Sequence, residues 1–374
     1  MAEKATVCRG CLLGLAVGDA MGYPVDGKTL EEIHRDYGPG GLMGYDLVNG
    51  YADVTSYTQL AAYTANGLLI ASTRGQLRGK MAPFVRYVAK AQQEWSKIQH
   101  IRRLPESTLC WISHVEQLRR RMCMDTRMLD TLRKDALGTV EEPANAYTTP
   151  AALTASVCVG LFFHPERMAV PEVGRLGAEV VALTHGDPGA FLSGAWLAYV
   201  TAGVVQEGAL PLREQFLQAA EAVAAQFGRH YPQAYKLREQ IGRGVLLAKN
   251  GLLTPERAME ELHCETSPQV LAGAVYACLT GEEDFDRSMI VAVNHSGRSS
   301  AVGAVTGAIL GAKLGEEALP EFYLECLEPA EELRTLAEDL AQGCPMDLRS
   351  RLFDDDWDHK YIQGEPVEPG AWVE

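Results

Sequence analysis

The sequence predicts an all-α fold built as one domain. Apolar residues recur at helical spacing along nearly all of the 374 residues, and alternating strand patterns are almost absent. Turn residues such as Gly38-Pro39-Gly40-Gly41 separate the apolar stretches, and no long Gly/Ser-rich or Pro-rich linker divides the chain. We therefore expect a single domain over 1–374, with a core at about 8–345 and a C-terminal tail at about 346–374.

The helical periodicity places the elements in chain order. The predicted helices are 8–22, 29–37, 58–73, 80–98, 112–123, 150–163, 170–184, 188–206, 212–228, 233–248, 254–263, 267–280, 285–294, 300–314 and 330–342. Their lengths and turn residues vary too much for a solenoid repeat. Beyond the last helix, the acidic stretch 354–361 lacks the glycine and terminal glutamate of an EF-hand loop. We expect that stretch to lie on the surface, anchored by Trp357 and Tyr361.

Two of the predicted helices carry glycine at every fourth position. These glycines are Gly10, Gly14, Gly18 and Gly22 in the first helix, and Gly303, Gly307 and Gly311 in helix 300–314. An interior glycine costs a helix about 1 kcal/mol relative to alanine, and a spacing of four places all of them on one face. Such a face lets another backbone approach closely, so we expect both helices to lie at the centre of the core, as neighbours.

Composition and charge exclude several classes of protein. A hydrophobic content of 47% excludes a disordered chain, and a net charge of −15 makes general nucleic-acid binding improbable. The N-terminus lacks the apolar stretch of a secretory signal, and the apolar stretch 151–163 is too short to span a membrane. The nine cysteines are scattered, as in a reduced protein. We expect a cytoplasmic protein with neither a nucleic-acid nor a membrane partner.

Polar residues cluster where three of the predicted helices begin or end. The clusters lie at 18–27, at 53–59 and at 294–300. Helix N-termini carry partial positive charge and suit anions such as phosphate, so three converging helix ends would form an anion pocket. Serine and threonine are also common helix caps, and capping alone would explain Thr55, Ser56 and Ser299.

Four segments together resemble the motifs of the ADP-ribosylglycohydrolase family, in their order and spacing. They are Gly14–Asp26, Thr55–Leu60, Leu183–Pro188 and Val293–Ser300, and the likeness extends over about 8–362. The resemblance implies an orthogonal bundle of α-helices, in agreement with the periodicity. It also implies hydrolysis of a glycosidic bond of ADP-ribose, assisted by two Mg²⁺ ions.

The sequence departs from the family pattern at the positions that the resemblance assigns to the metal ligands. Ser56 and Tyr57 stand where the family has a pair of aspartates, and Arg298 and Ser300 stand where it has two more. Four negative charges are thus lost and one positive charge is gained. At about 4 Å and an effective dielectric of about 20, each charge pair is worth about 4 kcal/mol, which neutral hydroxyls do not replace. We therefore expect no metal cofactor.

The resemblance marks two further departures in the pocket. Asp26 replaces a glutamate that lies beside the substrate ribose in the family, which keeps the acid but shortens it by one methylene. The segment 145–155 replaces a glycine-rich, arginine-containing segment that lines the family's pocket. Several walls of the pocket therefore differ together.

Three functions stay open. The first is a non-catalytic member, a pseudoenzyme that binds an ADP-ribose-like or nucleotide ligand, or a protein partner, with the guanidinium of Arg298 in place of the metals. The second is a metal-independent hydrolase that uses Asp26, Asp19 and either His185 or His295. The third is a conventional metal-dependent ADP-ribosyl hydrolase whose ligands lie at positions that the motifs do not mark. We favour the first.

The predicted site follows from the motifs. Asp26 and Asp19 are the candidate catalytic carboxylates. The candidate pocket residues are Thr55, Ser56, Tyr57, Thr58, His185, Asn294, His295, Ser296, Gly297, Arg298, Ser299 and Ser300. Structural roles remain open for three of these residues: Asp19 as a hydrogen-bonding residue at a helix end, His185 as a cap or turn residue, and Arg298 as an ion pair with Asp19 or Asp26.

Overall fold

The fold is all-α, as the periodicity predicts. The computed structural model describes residues 2–101, 103–134, 137–163, 168–205, 210–281, 284–347 and 352–367. Within these ranges, extended pairing is confined to two isolated bridges, Val48–Tyr51 and Asp347–Leu352. The buried apolar side chains form one cluster that extends from Cys8 to Tyr361.

The α-helices that lie in the described ranges are numbered in chain order. Their bounds are α1 Ala2–Gly22, α2 Leu30–Tyr37, α3 Ser56–Arg78, α4 Phe84–Ile98, α5 Glu116–Arg119, α6 Thr126–Leu132, α7 Val157–Phe162, α8 Val170–Ala182, α9 Pro188–Val204, α10 Leu212–Phe227, α11 Gln233–Asn250, α12 Pro255–Leu262, α13 Ser267–Thr280, α14 Phe285–Val293, α15 Ser299–Leu314, α16 Glu321–Glu325, α17 Ala330–Gln342 and α18 Asp355–Asp358. Short 3₁₀ turns cover Tyr23–Val25, Trp111–His114, Leu153–Ser156 and Glu316–Ala318, and a π turn covers His359–Gln363.

Most of the predicted helices are present with ends shifted by a few residues. The helix predicted at 150–163 is α-helical only over Val157–Phe162, after a 3₁₀ turn, and the helix predicted at 112–123 is wrong as a single element. A 3₁₀ turn and the four-residue α5 take its place. The amide of Gln59, on α3, donates to the backbone carbonyls of Gln117 (3.2 Å) and Arg120 (3.0 Å). These carbonyls bond to a neighbouring helix instead of continuing their own.

Helices α1 and α15 pack against each other along their glycine faces. A Cβ atom added at Gly14 would lie 2.2 Å from the carbonyl oxygen of Gly307, and one added at Gly18 would lie 1.9 Å from that of Gly303. No side chain fits at such distances, so glycine is required on both helices. This confirms the predicted pairing, which places the ends of both helices beside the polar clusters.

Among the helices of 18 or more residues in the described ranges, the first has the composition of a membrane-spanning segment. The stretch Lys4–Val25 is long and apolar enough to cross a membrane by length and composition, yet 78% of its most apolar window is buried inside the structure. A central core helix has the same composition, and here α15 covers its glycine face.

The segment that contains α18 is anchored as the sequence predicts. The side chains of Trp357 and Tyr361 are buried. The indole nitrogen of Trp357 donates to the hydroxyl of Thr73 on α3 (2.8 Å). Lys360 and Tyr361 both donate to the carboxylate of Asp339 on α17.

Candidate functional site

The carboxylate of Asp19 caps the N-terminus of α3. It accepts hydrogen bonds from the backbone N–H groups of Thr55 (2.8 Å) and Thr58 (3.1 Å) and from their hydroxyls (2.7 and 2.6 Å). Asp19 is fully buried, and burial raises its pKa against the effect of these four bonds. Both carboxylate oxygens are used within the fold, which is the structural role that the sequence left open for Asp19.

Ser56 is also engaged within the fold. Its hydroxyl accepts the backbone N–H of Met124 (3.0 Å), and its own N–H donates to the carbonyl of Met122. These bonds hold the segment that leads into α6 against the start of α3. Thr55, Ser56 and Thr58 therefore build the helix terminus, and none of them lines the cavity described below.

The loop between α14 and α15 is held by its own polar side chains. The Asn294 amide accepts the N–H of Leu42 (2.7 Å) and donates to its carbonyl (2.9 Å). The Ser296 hydroxyl accepts the N–H of Leu30 at the start of α2 (2.9 Å). The ring nitrogens of His295 lie 2.9 and 3.0 Å from two backbone carbonyls, and burial lowers its pKa. These three side chains fix the loop and lie outside the residues that line the cavity.

The start of α15 is tied to the loop that follows α1. The carbonyl of Gly297, at a φ of 125°, accepts the N–H of Gly27 (2.8 Å). Ser300 donates its N–H to Asp26 (3.0 Å) and its hydroxyl to the carbonyl of Asp19 (3.1 Å). The hydroxyl of Ser299 donates back to the carbonyl of His295 (3.4 Å). An internal carboxylate, Asp26, thus occupies this helix N-terminus.

A cavity of about 310 Å³ lies where these segments meet α6 and the loop that follows it. Its lining residues are Asp26, Tyr57, Met124, Asp125, Thr126, Arg127, Thr149, Pro150, Ala151 and Arg298. Of the predicted site residues, the structure brings Asp26, Tyr57 and Arg298 together here. Thr149, Pro150 and Ala151 come from the segment 145–155, which the family resemblance implied as a pocket wall.

Asp26 is the most perturbed carboxyl group of the cavity. Its side chain is 5% exposed, and Arg298 Nη1 lies 3.8 Å from its Oδ2. Burial raises the pKa of Asp26 to about 6, although the Ser300 N–H bond and the charge of Arg298 both lower it. Arg298 also pairs with the exposed Glu265 (Nε–Oε2 3.1 Å), so it forms ion pairs within the fold, which is the structural role that the sequence left open for it. Burial is the main cause that raises the pKa of Tyr57 well above its usual range, and the negative charge of Asp26 adds to it. The phenol therefore stays protonated.

A second aspartate, Asp125, lines the same cavity in a different environment. It caps α6 through the N–H of Arg127 and receives the guanidinium of the same residue through Nε (2.9 Å) and Nη2 (2.7 Å). The hydroxyl of Thr149 donates a further bond (2.7 Å). The Arg127 and Thr149 bonds outweigh burial and lower the pKa of Asp125, so it stays ionised. The guanidinium of Arg127 lies over the ring of Tyr147, 4.6 Å from its centre.

The hydroxyl of Thr149 lies between the side chains of His185 and Asp125 and bonds to both. The Nε2 of His185 is 2.9 Å from the hydroxyl of Thr149, and its Nδ1 is 2.9 Å from that of Thr184. The imidazole is fully buried, and burial lowers its pKa to about 4. His185 therefore reaches the cavity only through Thr149, and it is neutral at physiological pH.

The donors present do not fit a pair of Mg²⁺ ions, which prefer several carboxylate and water oxygens. The Ser56 hydroxyl already receives a backbone N–H, the Ser300 hydroxyl donates to a carbonyl, and the cationic Arg298 lies beside Asp26. In the described ranges, no three His, Cys, Asp or Glu side chains are placed to hold a metal ion.

The segment Met124–Arg127 lines the cavity but is not among the residues that the sequence predicts for the site. Its only local signal is an aspartate before a short helix, which is an ordinary N-cap pattern. The functional interest of Asp125 comes from Thr149 and His185, which lie 24 and 60 residues further along the chain and meet it only in the folded protein.

Comparisons with known proteins agree with this architecture. An uncharacterized protein from Archaeoglobus fulgidus is 26% identical over 334 residues, which cover 89% of this chain and 95% of that protein. A solved structure described as an ADP-ribosylglycohydrolase-related protein complex matches 91% of this chain and 99% of its own, with a TM-score of 0.55 and 21% identity. That structure shares the fold. The model of the ADP-ribosylglycohydrolase family matches residues 3–348, and the chain therefore belongs to the ADP-ribosylglycohydrolase family.

Proposed function

We propose that this protein is a divergent ADP-ribosylglycohydrolase-like protein that binds an ADP-ribose-like or nucleotide anion without the family's two Mg²⁺ ions. The observation that carries the proposal is the position of Arg298. Its guanidinium lines the cavity beside the buried carboxyl group of Asp26, and its side chain is 37% exposed. A guanidinium at this place would supply positive charge to the ligand in place of the family's two Mg²⁺ ions.

The electrostatics of the cavity support an anionic ligand. Two arginines, Arg127 and Arg298, line it together with two aspartates. Asp26 is buried and turned to the N-terminus of α15, whereas the side chains of both arginines are at least one-third exposed. Glu265, whose side chain is 53% exposed, pairs with Arg298 through Nε and offsets part of this positive charge, so the exposed guanidinium donors, rather than a net positive charge, favour an anion. Guanidinium groups suit phosphate and carboxylate oxygens.

Calorimetry and thermal unfolding with ADP-ribose, in Mg²⁺ and in EDTA, test the proposal. A ligand at about 100 times its dissociation constant stabilises the fold by about 2.7 kcal/mol. We expect ADP-ribose to bind in EDTA as well as in Mg²⁺. We expect Arg298→Glu to lower the affinity for ADP-ribose at least tenfold. The matched control is Arg238→Glu, because Arg238 is similarly exposed (42%) and pairs with Glu221 on the surface.

The other outcomes of this experiment separate the remaining functions. Binding that requires Mg²⁺ with tight stoichiometry would contradict the proposal and restore a metal-dependent hydrolase. If ADP-ribose binds in neither condition, the cavity is not a nucleotide site, and a protein partner becomes the better proposal. Equal affinity of Arg298→Glu and wild type would remove Arg298 from the site.

A second candidate function is metal-independent hydrolysis of an ADP-ribosyl bond. It is favoured by one observation: the cavity holds one carboxyl group with a pKa of about 6, Asp26, and one that stays ionised, Asp125. Glycosidases commonly use such a pair as acid and base. Release of ADP-ribose from an ADP-ribosylated peptide in EDTA, lost in Asp26→Asn, would support this function over simple binding.

A further inference from the structure

We propose that Arg127 is a second residue, besides Arg298, that contacts an anionic group of the ligand, and that a buried chain of hydrogen bonds holds it in position. The chain runs from Asp125 through Thr149 and His185 to Thr184. The inference rests on the proposed function, because it assigns an anion contact in the same cavity. It makes Thr149 and His185 positioning residues.

The direction of every bond in the chain is fixed by chemistry. An ionised carboxylate only accepts, so the hydroxyl of Thr149 must donate its proton to Asp125. The Thr149 oxygen then accepts from Nε2–H of His185. Because a neutral imidazole carries one N–H, Nδ1 of His185 must accept from the hydroxyl of Thr184. The chain has one consistent pattern, with His185 in its Nε2–H tautomer.

Burial makes this pattern rigid. Both His185 and Thr184 are almost completely buried, and the folded protein favours the neutral imidazole over the charged one. Protonation would place a second proton on Nδ1, where the Thr184 hydroxyl now donates. The role of His185 is therefore to orient Thr149, and through it the carboxylate of Asp125.

Asp125 in turn fixes the plane of the Arg127 guanidinium. One edge of that group, Nε and Nη2, is bonded to the two carboxylate oxygens, and one face lies over Tyr147. Within the described ranges, Nη1 has no hydrogen-bond partner, and the side chain, which lines the cavity, is 52% exposed. A guanidinium held in this way presents N–H donors in a fixed direction, which suits a phosphate or diphosphate group. Because the guanidinium is already held in place in the ligand-free protein, less conformational entropy is lost when the ligand binds.

Binding measurements on conservative variants test the role of the chain. The probes are ADP-ribose and inorganic diphosphate, each measured by calorimetry in EDTA. We expect Arg127→Lys to bind about tenfold more weakly, because lysine keeps the charge but loses the fork. We expect Thr149→Val to weaken binding about fivefold to tenfold and Thr149→Ser to restore it. Thr280→Val is the matched control, because Thr280 is a half-buried threonine that donates within its own helix.

The tautomer of His185 is a second test that needs no ligand. In ¹⁵N-labelled protein, we expect the His185 ring to stay in the Nε2–H form between pH 5 and 8, and Thr149→Val to shift its Nε2 resonance. An Nδ1–H tautomer, or a ring that titrates in this range, would overturn the hydrogen-bond chain.

The outcomes separate this inference from the proposed function. If the wild type binds either probe and Thr149→Val binds equally well, the inference fails while the proposed function stands. If diphosphate binds through Arg127 but ADP-ribose does not bind, the inference stands and the proposed ligand is wrong. If neither probe binds to the wild type, both are wrong.

Discussion

Asp26 and Asp125 show how two aspartates in one cavity acquire opposite properties. Asp26 receives a single backbone N–H and lies 3.8 Å from its arginine, so burial dominates and raises its pKa to about 6. Asp125 receives four hydrogen bonds, three of them from Arg127, and these lower its pKa. The number and geometry of the donors decide which carboxyl group keeps its proton.

The raised pKa of Asp26 has a consequence for stability. Between about pH 4 and pH 6, the folded protein binds the Asp26 proton more tightly than the unfolded chain does. The contribution of Asp26 to stability is therefore full below about pH 4 and is lost as the pH rises through about 6, by about 3 kcal/mol at most. Arg298, Asp19 and Glu265 are the charged groups that modify this shift.

We expect Asp26→Asn to remove this pH dependence, because asparagine keeps an acceptor for the N–H of Ser300 and has no charge. In urea unfolding, the variant should match the wild type near pH 4 and exceed its stability by about 2 kcal/mol near pH 7. Asp130→Asn is the control, since the side chain of Asp130 is 76% exposed. A stability difference that is constant with pH, or that shrinks as the pH rises, would contradict this account of Asp26.

The candidate site could be predicted from the sequence only in part, for a reason that lies at the residue scale. Motif order located Asp26, Tyr57 and Arg298, which do line the cavity. The motif residues Thr55, Asn294 and Ser300 look equally polar in the sequence, yet each has its hydrogen bonds satisfied inside the fold. Local sequence does not show whether a hydroxyl or amide is already bonded, because its partners lie far away in the chain.

At the scale of elements, the pairing of α1 with α15 determines where the site lies. The glycine faces bring the two backbones together, and the C-terminal end of α1 then meets the N-terminal end of α15. Asp19 and Ser300 are bonded across this junction, and Asp26 follows it. This pairing was visible in the sequence, because a repeated glycine spacing of four has few other physical explanations. The irregular segment around α5 was not, since its conformation depends on Gln59 from another helix.

The helix pair gives a direct prediction. We expect Gly18→Ala to lower the free energy of unfolding by about 3 kcal/mol, because its Cβ would lie 1.9 Å from the carbonyl oxygen of Gly303. The matched control is Gly242→Ala in α11, where a Cβ meets nothing within 4 Å. That change should instead raise the stability by about 1 kcal/mol through helix propensity. Urea unfolding of both variants measures the difference, and equal effects would rule out close packing of α1 on α15.

At the scale of the whole molecule, the C-terminal segment ties distant parts of the chain together. Trp357 bonds to Thr73 on α3, and the carbonyl of Gly364 accepts the hydroxyl of Thr108 (2.8 Å). The buried carboxylate of Asp339 on α17 receives Lys360 and Tyr361. The acidic composition of this segment predicts an exposed tail, and its two aromatic residues predict the anchor.

We expect Trp357→Ala to lower the free energy of unfolding by about 3–4 kcal/mol, because it removes a buried indole and leaves the Thr73 hydroxyl without its donor. Phe353→Ala is the control: Phe353 belongs to the same segment but is 64% exposed, so its removal should change the stability by less than about 0.5 kcal/mol. Neither side chain lines the cavity. Under conditions where the protein stays folded, we therefore expect both variants to bind ADP-ribose as the wild type does. If both variants lose the same stability, the segment does not dock through Trp357. If only Trp357→Ala loses affinity for the ligand, the docked segment affects the shape of the cavity without lining it.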